Sequence, residues 1–117
     1  MPVHFNCKAL LSNPKAMNPA QALDVRKTRA KYFFRQALKQ YVTCEFQLAL
    51  QSWQQALILY RELQDYQAEA TTLGYLGLVY GNLGDNTKAT TCFQNAIKIA
   101  QELKNLQLEA ILLRFWI

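Results

Sequence analysis

Proline is scarce and one-sided: Pro2, Pro14 and Pro19, then none. Beyond Pro19 every residue keeps its backbone donor, so helices can run without a forced kink. Glycine is equally confined, with all four between Gly74 and Gly84. No run of alternating β-branched residues marks a strand. Histidine occurs once, as His4, with no metal or catalytic partner near it in sequence. The cysteines, Cys7, Cys44 and Cys92, are odd in number and far apart. That excludes a disulfide framework and a CxxC zinc site. They are expected to be buried thiols in a reducing compartment. No segment approaches the roughly 20 apolar residues of a membrane span. Ala9-Leu10-Leu11 is too short for the apolar core of a signal peptide. A cytoplasmic protein without membrane contact is expected. Phosphate-binding loops, GxSxG and metal-ligand spacings are missing too. The few carboxylates that cluster, Glu62, Asp65 and Glu69, lie around a predicted helix link, where capping accounts for them. No catalytic, metal or cofactor-binding residue is expected, and the chain is not read as an enzyme.

What is present is apolar. Of 117 residues, 51% are hydrophobic, too many for a disordered chain and enough for one domain with a modest core. An all-α protein is expected. The clearest stretch is Leu73 to Ala96. Leu73, Leu76, Gly77 and Tyr80 recur at i, i+3, i+4 and i+7, one helical stripe. Asn82-Leu83-Gly84-Asp85-Asn86 breaks the helix. Gly84 suits a left-handed cap, and Asp85 or Asn86 suits the next N-cap. Ala89, Phe93, Ala96 and Ile97 then restart the stripe on a second helix. Gly77, Ala89 and Ala96 are small enough for two backbones to approach closely, with Tyr80 and Phe93 filling the space around them.

The pattern repeats. Shifted by 40 residues, Ala49–Ala70 lies over Ala89–Ala110 with eight identities in 22 positions. Ala49/Ala89, Gln54/Gln94, Ala56/Ala96 and Gln67/Gln107 are among them, and Trp53/Phe93, Leu57/Ile97 and Asp65/Asn105 are similar. The breaks at Asp65 and Gly84-Asp85 interrupt any heptad, which excludes a continuous coiled coil. The spacing Leu73-x2-Leu76-Gly77-x2-Tyr80, then Ala89-x3-Phe93-x2-Ala96, resembles a tetratricopeptide repeat. The period of 40 is similar to the longer repeats of kinesin light chains and related scaffolds. The resemblance implies a right-handed solenoid of stacked antiparallel helix pairs. Residues 1–18 form an irregular N-terminal arm and residues 19–117 the helical domain. The repeats fall at about 30–69 and 70–109, with a partial one at 110–117. The first copy departs from the pattern in its first helix. Ala37 holds the place of Gly77, but the aromatic is Tyr41, one residue late, and the turn Val42-Thr43-Cys44-Glu45 has no glycine.

In chain order, Asn18-Pro19-x-Gln21 predicts a helix start. Asn18 can accept from the first free amides, Pro19 suits the first helical position and Gln21 can reach back. That helix runs towards Tyr41. Helices follow over Glu45 to about Leu63, Gln67 to Asn82, Asn86 to Leu103 and Leu106 to Ile117. Links this short predict antiparallel neighbours. The last helix ends on Ile111, Leu112, Leu113, Phe115, Trp116 and Ile117, with nothing polar to cap it. Ile111, Leu112, Phe115 and Trp116 are therefore expected to bury against a second copy, giving a homo-oligomer through the C-terminal helix, or to meet a further repeat of a longer array. The alternative is that the helix folds back on its own core.

Charge is unevenly spread. Residues 1–40 carry +7 and residues 41–117 carry −2, the sum being the net +5 of the chain. The excess sits on Lys8, Lys15, Arg26, Lys27, Arg29, Lys31, Arg35 and Lys39, with Asp24 the lone acid. In proteins of the resembled family the groove comes mostly from the first helix of each pair. By phase it is lined here by Lys31, Phe34, Arg35 and Leu38, then Thr71, Gly74, Tyr75, Leu78 and Asn82, then Arg114. Gly74 and Leu78 stand where the carboxylate clamp of chaperone-binding members needs Lys and Asn, so chaperone tails are not expected as ligands. The expected function is non-catalytic: a protein–protein interaction module or scaffold. It binds a peptide or partner segment with apolar anchors and acidic flanks. The rival reading is nucleic-acid or acidic-surface binding through Arg26–Lys39, although no recognised DNA-binding motif accompanies that charge.

Overall fold

Short, capped, nearly Pro-free segments become helices throughout. The computed structural model describes residues 18–116, and those residues are all-helical, with no strand among them. His4, Cys7, Lys8, Lys15 and the rest of the expected arm, and Ile117, lie outside the described residues. The helices are α1 (Pro19–Val42), α2 (Phe46–Glu62), α3 (Tyr66–Asn82), α4 (Asn86–Glu102) and α5 (Leu106–Trp116).

The predicted start of α1 is present in full. Asn18 Oδ1 accepts from the Gln21 amide at 2.8 Å, and Gln21 Oε1 accepts from the Asn18 amide at 3.3 Å. Pro19 occupies the first turn, where its missing donor is harmless. Later starts repeat one device. Asp65 accepts from Ala68 N, Asp85 from Lys88 N and Asn105 from Leu108 N, at 3.1, 3.1 and 3.0 Å. Glu45, at the corresponding place before α2, makes no such cap bond.

The helix ends repeat as well. Cys44, Gln64, Gly84 and Lys104 have φ of 61°, 56°, 83° and 55°, all in the left-handed region. These four residues lie 20 apart in sequence. In each turn that residue and the one after it donate back into the last helical turn. Gly84 N donates to Gly81 O and Asp85 N to Tyr80 O, and Gln64, Asp65, Lys104 and Asn105 do the same. This is the paired Schellman closure, which satisfies two carbonyls left over at a helix end. Cys44 and Glu45 make it too, without a glycine, so the glycine-free first turn has the same geometry as the others. Three-residue links between packed helices turn the chain back on itself, and successive helices run antiparallel.

Small residues set the helix approaches. Ala37, Ala49, Ala56, Ala70, Ala96 and Ala100 are fully buried. A Cβ added at Gly77 would lie 2.7 Å from the Phe93 ring, and one at Gly74 would lie 2.5 Å from Leu112. Gly77 thus admits the ring of α4, and Gly74 admits a side chain of α5. The principal packings join α1 to α2, α2 to α3, α3 to α4, and α5 to both α3 and α4. Being surrounded, α3 buries Thr72 and Val79 in addition to its predicted stripe, and Thr72 satisfies its hydroxyl on Ala68 O at 2.7 Å. Two polar staples hold the links: Arg61 to Glu69 at 3.1 Å, and Gln101 to Glu109 at 2.8 Å. The thiol expectation needs correction at one place. Cys44 is exposed because it sits in a turn, and Cys92 is partly buried. No helix among the described residues is long and apolar enough to cross a membrane.

Candidate functional site

Helices α1, α3 and α5 share one face, and aromatic side chains cross it. The Phe34 and Tyr75 rings meet edge to face at 5.4 Å, and Tyr75 meets Phe115 at 5.8 Å. Trp53 of α2 lies beneath, stacked on Tyr75 at 4.9 Å and fully buried. The row is therefore anchored on the core and has little freedom to rearrange. It unites Phe34 and Tyr75 from the predicted groove with Phe115, which the sequence reading assigned to self-association.

Two clefts flank this row. The first, about 440 Å³, lies between α1 and the start of α3 and is walled by Phe34, Tyr60, Asp65 and Thr71. The second, about 310 Å³, lies between α3 and α5 and is walled by Tyr75, Leu108, Ile111 and Phe115. Gln67 and Thr71 border both. A third hollow, at the other end of α3, takes in Leu78, Asn82, Tyr41 and Trp116. Asn82 is fixed there: its amide donates to Tyr41 Oη and to Leu78 O, each at 2.9 Å. Of the other predicted groove residues, Leu38 is half-buried against the core. Gly74 is buried beneath Leu112. Lys31, Arg35 and Arg114 are exposed.

The charge on α1 is largely unanswered. Arg26 approaches Glu62 at 3.7 Å. Among the described residues Lys27, Arg29, Lys31, Arg35 and Lys39 form no ion pair. Arg35 lies close enough to act on Tyr60. Burial pushes the Tyr60 hydroxyl up and Asp65 adds to the rise, while Arg35 opposes it. Burial likewise raises the Cys92 thiol, with Arg61 opposing.

No protein-family model and no curated protein matches the chain.

The predicted self-association set divides. Ile111 and Trp116 are 46% and 40% exposed. Phe115 is half-buried on Tyr75. Leu112 is the correction: at 1% exposure it belongs to this chain's own core, because Gly74 leaves it a place on α3. Sequence reasoning passed over Gln67, Gln107, Asn105 and Tyr60 as site residues. The identity of Gln67 and Gln107 across the 40-residue offset was the signal available for two of them. Among the described residues, no group of three or more His, Cys, Asp or Glu is placed to hold a metal ion.

Proposed function

We propose that the chain is a non-catalytic protein–protein interaction module of tetratricopeptide type. In this reading the helices form a right-handed solenoid of about two and a half stacked antiparallel pairs. A peptide or partner segment binds across α1, α3 and α5. The 20-residue recurrence of the turns supports the architecture, since stacked repeats need one turn geometry used over and over. The observation that carries the function is the aromatic row Phe34, Tyr75 and Phe115, lying between two clefts on the face that also carries Lys31 and Arg35, which form no ion pair among the described residues. Rigid aromatic anchors next to concave apolar pockets suit a peptide with apolar side chains, and the cations suit acidic flanks.

The test is binding of acidic-flanked apolar peptides to the wild type and to a Lys31→Glu, Arg35→Glu double variant. Circular dichroism verifies the helices. The wild type should bind and the double variant should not, at equal helicity. Undiminished binding by the double variant would reject the groove.

The row of exposed cations on α1 favours a second reading, nucleic-acid binding through Arg26–Lys39. Its signature is different: affinity for an oligonucleotide that falls steeply with salt. The exposed Ile111 and Trp116 further suggest pairing of two copies through α5.

A further inference from the structure

Resting on the interaction-module reading, we propose a single register for the bound segment. It is an extended peptide with an acidic side chain over Lys31 and Arg35 and one apolar side chain in the cleft between α3 and α5. Its main chain is held by Gln67 and Gln107.

The repeat supplies an internal control for this assignment. The two clefts share four positions 40 apart, Asp65/Asn105, Gln67/Gln107, Ala68/Leu108 and Thr71/Ile111, so the differences there show what each selects. Ala68 and Thr71 of the first cleft are replaced by Leu108 and Ile111 in the second. The first cleft also carries the Tyr60 hydroxyl and the Asp65 carboxylate. The apolar anchor therefore belongs in the second cleft, not in the larger first one.

Charge fixes the other end. Lys31 and Arg35 stand one helical turn apart on α1, exposed and unpaired among the described residues. The nearby acids are engaged elsewhere: Glu62 with Arg26, Glu69 with Arg61 and Asp65 with the Ala68 amide. Glu62 and Glu69 are thus taken up by other cations, while Asp65 brings its negative charge to the first cleft and turns an incoming carboxylate toward the Lys31 and Arg35 edge instead.

The remaining constant feature is the pair of glutamines. Gln67 borders both clefts and Gln107 borders the second. Both side chains are exposed. Among the described residues they make no hydrogen bond, and neither do Gln36, Gln47, Gln51, Gln55, Gln64 and Gln94; what sets the pair apart is its place at the clefts that flank the aromatic row. A carboxamide offers one acceptor and two donors, the complement of a peptide unit in extended chain. Two of them at equivalent places hold the main chain whatever its side chains are.

The register also has a length. The Phe34 and Tyr75 ring centroids lie 5.4 Å apart and those of Tyr75 and Phe115 5.8 Å apart, so the row is about 11 Å long, and extended chain rises about 3.3 Å per residue. The acidic residue and the anchor are thus about three to four residues apart.

The experiment uses the full chain and fluorescein-labelled 12-residue peptides in a Gly/Ser background, read by fluorescence anisotropy. Each carries Glu-Glu and one Leu, separated by two, four or seven residues, in both chain directions. A spacing of four should bind best in one direction, with the others weaker by about ten-fold, the effect of one lost buried contact. Ile111→Asp should weaken the best peptide by a similar factor, and so should Gln67→Ala with Gln107→Ala. Lys31→Glu with Arg35→Glu should lose the Glu-Glu peptide and gain a Lys-Lys counterpart. All sites changed are exposed or bordering a cleft, and circular dichroism verifies each fold. Peptide binding that ignores the spacing, or survives Ile111→Asp and the glutamine variants, overturns the register and leaves the module reading standing. Absence of binding by every peptide up to millimolar concentration overturns both, and salt-sensitive binding of a 20-nucleotide thymidine oligomer would then assign α1 to nucleic acid.

Discussion

Gly81 and Gly84 are three residues apart, yet alanine at the two positions should act in opposite directions. Gly84 has φ of +83°. In that region a Cβ crowds the neighbouring carbonyl and costs about 1–2 kcal/mol. Against this, glycine loses more backbone freedom on folding than alanine, by about 0.5–1 kcal/mol. Gly84→Ala should therefore destabilise by about 0.5–1 kcal/mol, the difference of the two. Gly81 lies inside the last turn of α3, and a Cβ there meets nothing within 4 Å. Only the entropy and propensity terms remain, so Gly81→Ala should stabilise by about 0.5–1 kcal/mol. The separation between the variants is then about 1–2 kcal/mol, or roughly 4–15 °C in Tm for a domain of this size. At Gln64 and Lys104, whose φ values are 56° and 55°, the balance reverses. Glycine at either should stabilise by about 0.5 kcal/mol. Urea unfolding followed by circular dichroism measures all four. A shift of the same sign for Gly81→Ala and Gly84→Ala would refute the argument, since one backbone conformation cannot explain both.

Ala96 is fully buried on α4, within the main core cluster; Ala96→Leu should overpack it and cost about 1–3 kcal/mol, read as a lowered thermal midpoint. Tyr60 has its hydroxyl pushed up from 10.0, first by burial. Its contribution to stability is complete below that unfolded value and is lost as pH rises through the higher folded one. Wild type should therefore lose stability above about pH 10 more steeply than Tyr60→Phe, as urea midpoints across pH 8–11.5 will tell. Light scattering should find the wild type self-associated at micromolar or higher concentration and Ile111→Ser with Trp116→Ser monomeric; a monomeric wild type at high concentration would remove α5 as an interface.

Much of the fold was legible because it rests on local chemistry. Asn18, Pro19 and Gln21 announced the first helix by their own side-chain bonds, and Asp65 and Asp85 announced two more. The 40-residue offset paired Ala56 with Ala96 and Trp53 with Phe93, and all four are buried. Other features were set by neighbours and left no local sign. Cys44, Gln64 and Lys104 adopt left-handed conformations that their residue types do not favour, because packed helices on either side impose the turn. Tyr41 looked misplaced by one residue. Gln40 instead takes that place, accepting from Ser52 at 2.7 Å, while Tyr41 packs on Trp53 and accepts from Asn82. At the candidate site, phase along α1 and α3 was enough to bring Phe34 and Tyr75 to one face. The clefts depend on distances between helices, which no single helix encodes, so Tyr60, Gln67 and Asn105 stayed hidden. Leu112 was misassigned for the same reason: an apolar terminal helix reads alike whether its cover is a second chain or a glycine on α3.

The chain packs chiefly onto its neighbours in sequence, each helix against the one before and the one after. Its loops are three residues long, so the entropic cost of closing each contact is small. During synthesis, a helix leaving the ribosome finds its first partner already made and waiting beside it. The α1–α2 pair can close before α3 exists, and α3 then docks on a finished surface. Such a chain is expected to fold rapidly, since most of its helix packing joins elements adjacent in sequence.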